Sequence, residues 1–143
     1  MDPASRLLLW SGGAFFLIGL LSGVWKYGHI HRSPEAKAPV YVDITHRASL
    51  MYAFSTVVIQ RFVDASQLSE SIELAAVAGQ VIFFALAIGT YAIHGLLRDT
   101  DNQLERPHRL GTRQVPPVLI RGFMGSLILG EVGGFVVLLY GAI

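Results

Sequence analysis

The stretch Leu74-Ala75-Ala76-Val77-Ala78-Gly79-Gln80-Val81-Ile82-Phe83-Phe84-Ala85-Leu86-Ala87-Ile88-Gly89-Thr90-Tyr91-Ala92-Ile93-His94-Gly95-Leu96-Leu97 contains no charged residue. A helix rises about 1.5 Å per residue, so a run of this length is enough to cross a hydrocarbon core of about 30 Å. Leu7 to Trp25 is also free of charge, and Val115 to Ile143 is apolar apart from Arg121 and Glu131. A weaker run, Ala48 to Gln60, lies between Arg47 and Arg61 and reaches spanning length only if both arginines extend to the headgroups. The expectation is an all-α integral membrane bundle of four transmembrane helices, an oligomer, in one domain covering residues 1–143. Its helices are placed near 6–26, 44–63, 73–97 and 117–142.

Composition agrees. The 143 residues are 52% hydrophobic and 15% charged, with mean hydropathy +0.52, well outside the balance of a soluble domain. The net charge of +1 gives no case for nucleic-acid binding. The absence of cysteine removes disulfides, thiolate ligands, c-type haem attachment and cysteine nucleophiles. The first apolar run is too long for a signal peptide, and more basic residues follow it than precede it, so it is expected to be retained.

Four spans put the loop around Lys26, Arg32, Lys37 and Arg47 on the same side as the loop around Arg98, Arg106, Arg109, Arg113 and Arg121. The positive-inside rule then places both basic loops in the cytoplasm and both termini outside, in a cell inner membrane. All five histidines, His29, His31, His46, His94 and His108, fall on that cytoplasmic side. His46 and His94 sit at helix ends, from which a ring can reach into the bundle.

Polar residues Thr45, Ser49, Tyr52, Thr56 and Gln60 form one line along the second helix, and Gln80, Phe84, Ala87, Tyr91, His94 and Arg98 form one along the third. In lipid such stripes must turn inward. With helices two and three antiparallel, His46, Tyr52, Tyr91 and His94 can converge on one inner-side pocket, although interhelical hydrogen bonding alone would also explain them. Gly19 and Gly23, and the line Gly122, Ser126, Gly130 and Gly134, permit close helix packing within or between chains. Glu131 stands beside that glycine line at mid-helix, where an ionisable group is costly. It reads either as a functional acid or base or as a protonated carboxyl bonded to a neighbouring helix. Asp99, Asp101, Asn102 and Glu105 could together bind a cation, but solvated turns form from the same residues. No phosphate-binding loop, nucleophile elbow or HExxH pattern is present. The pair His29-x-His31 lacks the third ligand most metal sites need.

The segments Leu7-Leu8-Leu9-Trp10 to Phe15-Phe16-Leu17-Ile18-Gly19-Leu20-Leu21-Ser22-Gly23, a short proline-bearing loop, and Thr45-His46-Arg47-Ala48-Ser49-Leu50-Met51-Tyr52 together resemble the styrene oxide isomerases and the related hydroxylaminobenzene mutases. The likeness covers four helices in order and most of the chain. It implies a homotrimer binding haem b, with ferric iron as Lewis acid on the oxygen of a hydrophobic epoxide that rearranges to a carbonyl. His46 matches the axial ligand. The asparagine six positions after it in the family is Tyr52 here, and of the family's third-helix aspartate and tyrosine only Tyr91 is available. On this resemblance His46 is the metal ligand, and Tyr52 and Tyr91 are catalytic candidates; Glu131 joins them as a catalytic candidate because of its depth in the fourth helix, and His94 is a second cofactor-binding candidate on the anchor reading below. The partners expected are the bilayer, a hydrophobic small molecule and further copies of the chain. The competing expectation is a non-catalytic membrane anchor or accessory subunit of a respiratory-type complex, holding haem through both His46 and His94 or facing quinone.

This topology predicts that cysteines introduced at positions 29 and 94 react with an impermeant reagent from the same side of the membrane. Labelling from opposite sides would remove the shared pocket.

Overall fold

In a computed structural model of residues 1–143, the chain forms four long helices: α1, Pro3–Arg32; α2, Val40–Ala65; α3, Glu70–Leu97; and α4, Pro117–Gly141. Helices α1, α3 and α4 are long and apolar enough to cross a membrane. Helix α2 has the length, but Asp43, Arg47, Arg61 and Asp64 at its two ends dilute its hydropathy.

Local chemistry sets the boundaries. Asp2 caps α1 by accepting from the Ser5 N–H at 2.8 Å, with Pro3 in the first turn. That bond holds the Asp2 carboxyl below its usual range. Helix α1 runs on past Trp25, so His29 and His31 belong to its last turns. Arg98 closes α3 in the left-handed conformation with φ 50°, its N–H donating to the His94 carbonyl at 2.8 Å. Between α3 and α4 a two-stranded antiparallel hairpin pairs Arg109 with Gln114 and Leu110 with Arg113. Its turn holds Gly111 at φ 60°, where a side chain would be strained.

Helix α1 packs along α2, and both contact α3. The glycine pair reads as expected here, and the contact is within the chain: a methyl group on Gly19 would lie 2.9 Å from Leu50 Cγ, and one on Gly23 would lie 2.9 Å from His46 Cε1. Gly12 is equally tight against the Thr56 hydroxyl. The α2 stripe does face inward, with Thr45, Ser49 and Thr56 buried. Their hydroxyls donate to the Tyr41, Thr45 and Ala53 carbonyls of the same helix at 2.6, 2.7 and 2.7 Å. Over Thr45 and Ser49 the stripe is therefore packing surface, while Thr56 and Gln60 border a recess between α1 and α2. The core beneath it is apolar and includes Phe15, Val77, Val81, Phe84 and Leu138.

Helix α4 is not uniform. A π-helical turn over Leu129–Gly133 interrupts it. On the C-terminal side Gly134 lies so close to α3 that a methyl group would meet the Ala76 carbonyl at 2.6 Å. On the N-terminal side Pro117–Ile128 has no buried residue, and methyl groups on Gly122 and Gly125 would meet nothing within 4 Å. Only half of the expected small-residue line is thus used within the chain.

Replacing Gly19 by leucine should separate α1 from α2 and cost about 1–3 kcal/mol. Gly13→Ala, which meets nothing within 4 Å, should instead be neutral or gain up to about 1 kcal/mol from helix propensity. Thermal unfolding in detergent compares the two.

Candidate functional site

Helix α3 carries the best-organised polar groups. His94, one turn from its end, is buried, and its Nδ1 lies 2.8 Å from Asp99 Oδ1. The Asp99 side chain is only 6% exposed, and its second oxygen accepts from the Gly111 N–H at 2.5 Å. One carboxylate thus ties the end of α3 to the hairpin turn. Burial by itself would raise the Asp99 pKa, but the His94 and Gly111 hydrogen bonds outweigh it and hold the carboxyl below its usual range. The sequence reading grouped Asp99 with exposed turn residues, whereas the structure sets it apart from them. Asn102 and Thr100 do form ordinary turn bonds, and no cluster of three acidic or histidine side chains forms a metal site.

Tyr41, at the start of α2, completes this end of the molecule. Its ring lies 5.1 Å from that of His94 and stacks on Tyr91 at 6.0 Å, while its hydroxyl accepts from the Gln103 N–H at 2.6 Å. The sequence reading missed Tyr41. Its position on the Thr45–Ser49 face, one turn earlier, was the available signal.

Further along α3, the Tyr91 hydroxyl approaches that of Tyr52, and the carboxyl of Glu131 is near enough to act electrostatically on both. Tyr52 is held by stacking on Phe84 with ring centroids 4.3 Å apart. Glu131 projects from the π turn of α4, and its Oε1 is fully enclosed with no hydrogen-bond partner. Such turns recur where a helix must present a functional side chain. The three side chains expected to be catalytic thus come from α2, α3 and α4 and lie within electrostatic reach of one another, with no hydrogen bond to Glu131 Oε1.

His46 does not join them. Its Nδ1 lies 2.8 Å from the Gly19 carbonyl of α1, and the ring rests on Gly23. Along α2 it is about 120° around from Tyr52 at 3.6 residues per turn. The expected pocket of two histidines and two tyrosines is accordingly divided. Tyr52, Tyr91 and His94 follow one line through Tyr41, and His46 occupies the α1–α2 seam on another face. The stripe argument placed His46 at the edge of the inward face, and close approach to glycine drew the ring across to α1.

Two remaining features lie apart from both places. His108 is buried in the loop with its Nδ1 unpartnered. A recess of about 1050 Å³ between α1 and α2, lined by Leu9, Phe16, Phe54 and Val57 and ending at Gln60 and Asp64, includes none of the expected site residues.

Because the Asp99 carboxyl is held below its unfolded value, the stability it contributes is complete above the ordinary aspartate range and is lost as pH falls through the depressed value. Asp99→Asn should therefore flatten the acid limb of a pH–stability curve and cost about 2 kcal/mol at neutral pH, read as faster proteolysis within residues 99–115. No protein-family model matches the chain, and neither a curated protein nor a solved structure is significantly similar to it, so any functional assignment rests on these side chains.

Proposed function

We propose that the chain is a membrane-embedded, haem-dependent isomerase that converts a hydrophobic epoxide to a carbonyl compound, with His46 as the single protein ligand to the iron. The observation that carries this reading is the bond between His46 Nδ1 and the Gly19 carbonyl. With its proton on Nδ1, the ring donates to the carbonyl and keeps the Nε2 lone pair free, which is the tautomer and second-site bonding characteristic of metal-binding imidazoles. The lack of a side chain at Gly23 leaves the ring the space it occupies.

The donor set suits one haem held on one side. His94 is likewise bonded through Nδ1, to Asp99 in the loop, but stands on another face of the bundle from His46, which lies against α1; the resemblance selects His46 as the single ligand. Ferric haem bound at His46 would supply a Lewis acid toward an epoxide oxygen, chemistry that consumes no redox partner. The chain itself contributes orientation of the ligand by Gly19 and close packing of Leu50 on the same glycine, which limits access of water. Exclusion matters because water would divert a ring-opened epoxide to a diol. The Lys26–Asp43 ion pair, 2.5 Å long and reinforced by Arg47 at 2.9 Å, anchors the start of α2 next to the ligand. It holds the Asp43 carboxyl below its usual range, Lys26 giving the largest effect. The reading also includes four spans, basic loops in the cytoplasm and assembly of several copies, three by resemblance.

The absorption spectrum of the detergent-purified, haem-reconstituted chain tests it. The expected result is a high-spin, single-histidine Soret band that shifts when an epoxide analogue is added. His46→Ala should abolish haem retention, Gly23→Leu should weaken it by displacing the ring, and His29→Ala, His31→Ala and His94→Ala should leave it intact. A low-spin spectrum lost equally in His46→Ala and His94→Ala would favour the anchor reading, and absence of bound haem would end both.

A further inference from the structure

Glu131 is an ionisable residue midway along an apolar helix, and the haem reading does not use it. Its carboxyl belongs to none of the ion pairs, which join Lys26 and Arg47 to Asp43, Lys37 to Glu35, Arg61 to Asp64 and His94 to Asp99. Its Oε1 is enclosed and unpartnered. A carboxyl in an apolar helix with no cation beside it has two stable conditions: it carries a proton, or it holds a cation brought from outside.

The surroundings suit the second as well as the first. Tyr52 from α2 and Tyr91 from α3 are the titratable groups that face Glu131, and both present hydroxyls that can donate to a carboxylate once it is charged. Aromatic rings stand beside its neighbours: Phe84 stacks on Tyr52 at 4.3 Å, and Phe83, pressed against Gly130, meets Phe123 edge-on at 6.2 Å. Ring faces of this kind attract organic cations in a site that excludes water. Access is built in. The α3–α4 contact is tight at Gly134, whereas Pro117–Ile128 has no buried residue, so α4 on the loop side of Glu131 is open to the surrounding apolar phase.

We propose that Glu131, Tyr52 and Tyr91 form a binding site, separate from the His46 position, for a lipophilic organic cation that exchanges with a proton on the Glu131 carboxyl. The exchange is charge-balanced: the neutral acid releases one proton to solvent, and the carboxylate it becomes is neutralised by the incoming cation. No covalent bond other than O–H breaks. Binding therefore strengthens as pH rises, since removal of the proton favours the exchange.

Equilibrium dialysis of tetraphenylphosphonium against the purified chain, with proton release followed in weakly buffered detergent solution, tests the inference. The expected result is saturable binding with about one proton released per cation bound, in keeping with proton linkage. Glu131→Gln should weaken binding by about tenfold or more, the scale of a lost charge-assisted contact. Tyr52→Phe and Tyr91→Phe, each lacking one oxygen, should weaken it by a few-fold, and His46→Ala should bind as the parent chain does. The elution volume and helical circular dichroism of each variant report folding. Lack of saturable binding by the parent chain, binding without proton release, or unchanged binding in a folded Glu131→Gln chain would each overturn the site. Haem loading is measured separately, so either proposal can fail while the other stands.

Discussion

The close approach of α1 to α2 over Gly12, Gly19 and Gly23 is the contact on which the remaining arrangement depends. In an apolar environment no hydrophobic gain drives helix to helix, so adhesion comes from dispersion contacts and hydrogen bonds that only close backbones permit. Once α1 lies against α2, a backbone carbonyl of α1 comes within reach of His46, and Phe15 reaches across to Phe84 with ring centroids 6.5 Å apart. Helix α3 is thereby seated against both, which brings Tyr91 to Tyr52 and His94 to Tyr41.

The separation of His46 from Tyr52 has a simple origin. Helix α2 offers one face to α1 and another to α3, and residues six apart cannot share a face at 3.6 residues per turn. The ligand position and the tyrosine–carboxylate cluster consequently occupy opposite flanks of the same helix. Each is organised by different neighbours: a main-chain carbonyl for the imidazole, aromatic rings and a distorted helical turn for the hydroxyls and Glu131. The two chemistries proposed here draw on that division.

Much of this was legible in the sequence. Long apolar runs marked α1, α3 and α4, and three-and-four spacing of polar residues identified the inward faces of α2 and α3. Tyr52, Tyr91 and Glu131 could be singled out because polar groups inside an apolar helix require a local reason. What could not be read was whatever depends on the chain folding back over distances longer than a turn. Asp99 looks like a turn residue until Gly111, twelve residues later, returns to meet it. Tyr41 precedes the apolar part of its helix, so nothing in the pattern announces that His94 will rest on it. The side to which the His46 ring turns depends on missing side chains in α1, twenty-odd residues earlier, and the widened turn in α4 has no periodic signature because its glycines suit either geometry.

That widened turn also sets a phase within α4. An additional residue inserted into a helical repeat advances the following segment by about 100° relative to an undisturbed helix. Gly130 and Gly134 can therefore both press on α3 while Pro117–Ile128 directs its small residues elsewhere. The helix behaves as two short screws joined out of step, each free to satisfy a different neighbour, and shortening the joint by one residue would force a choice between them.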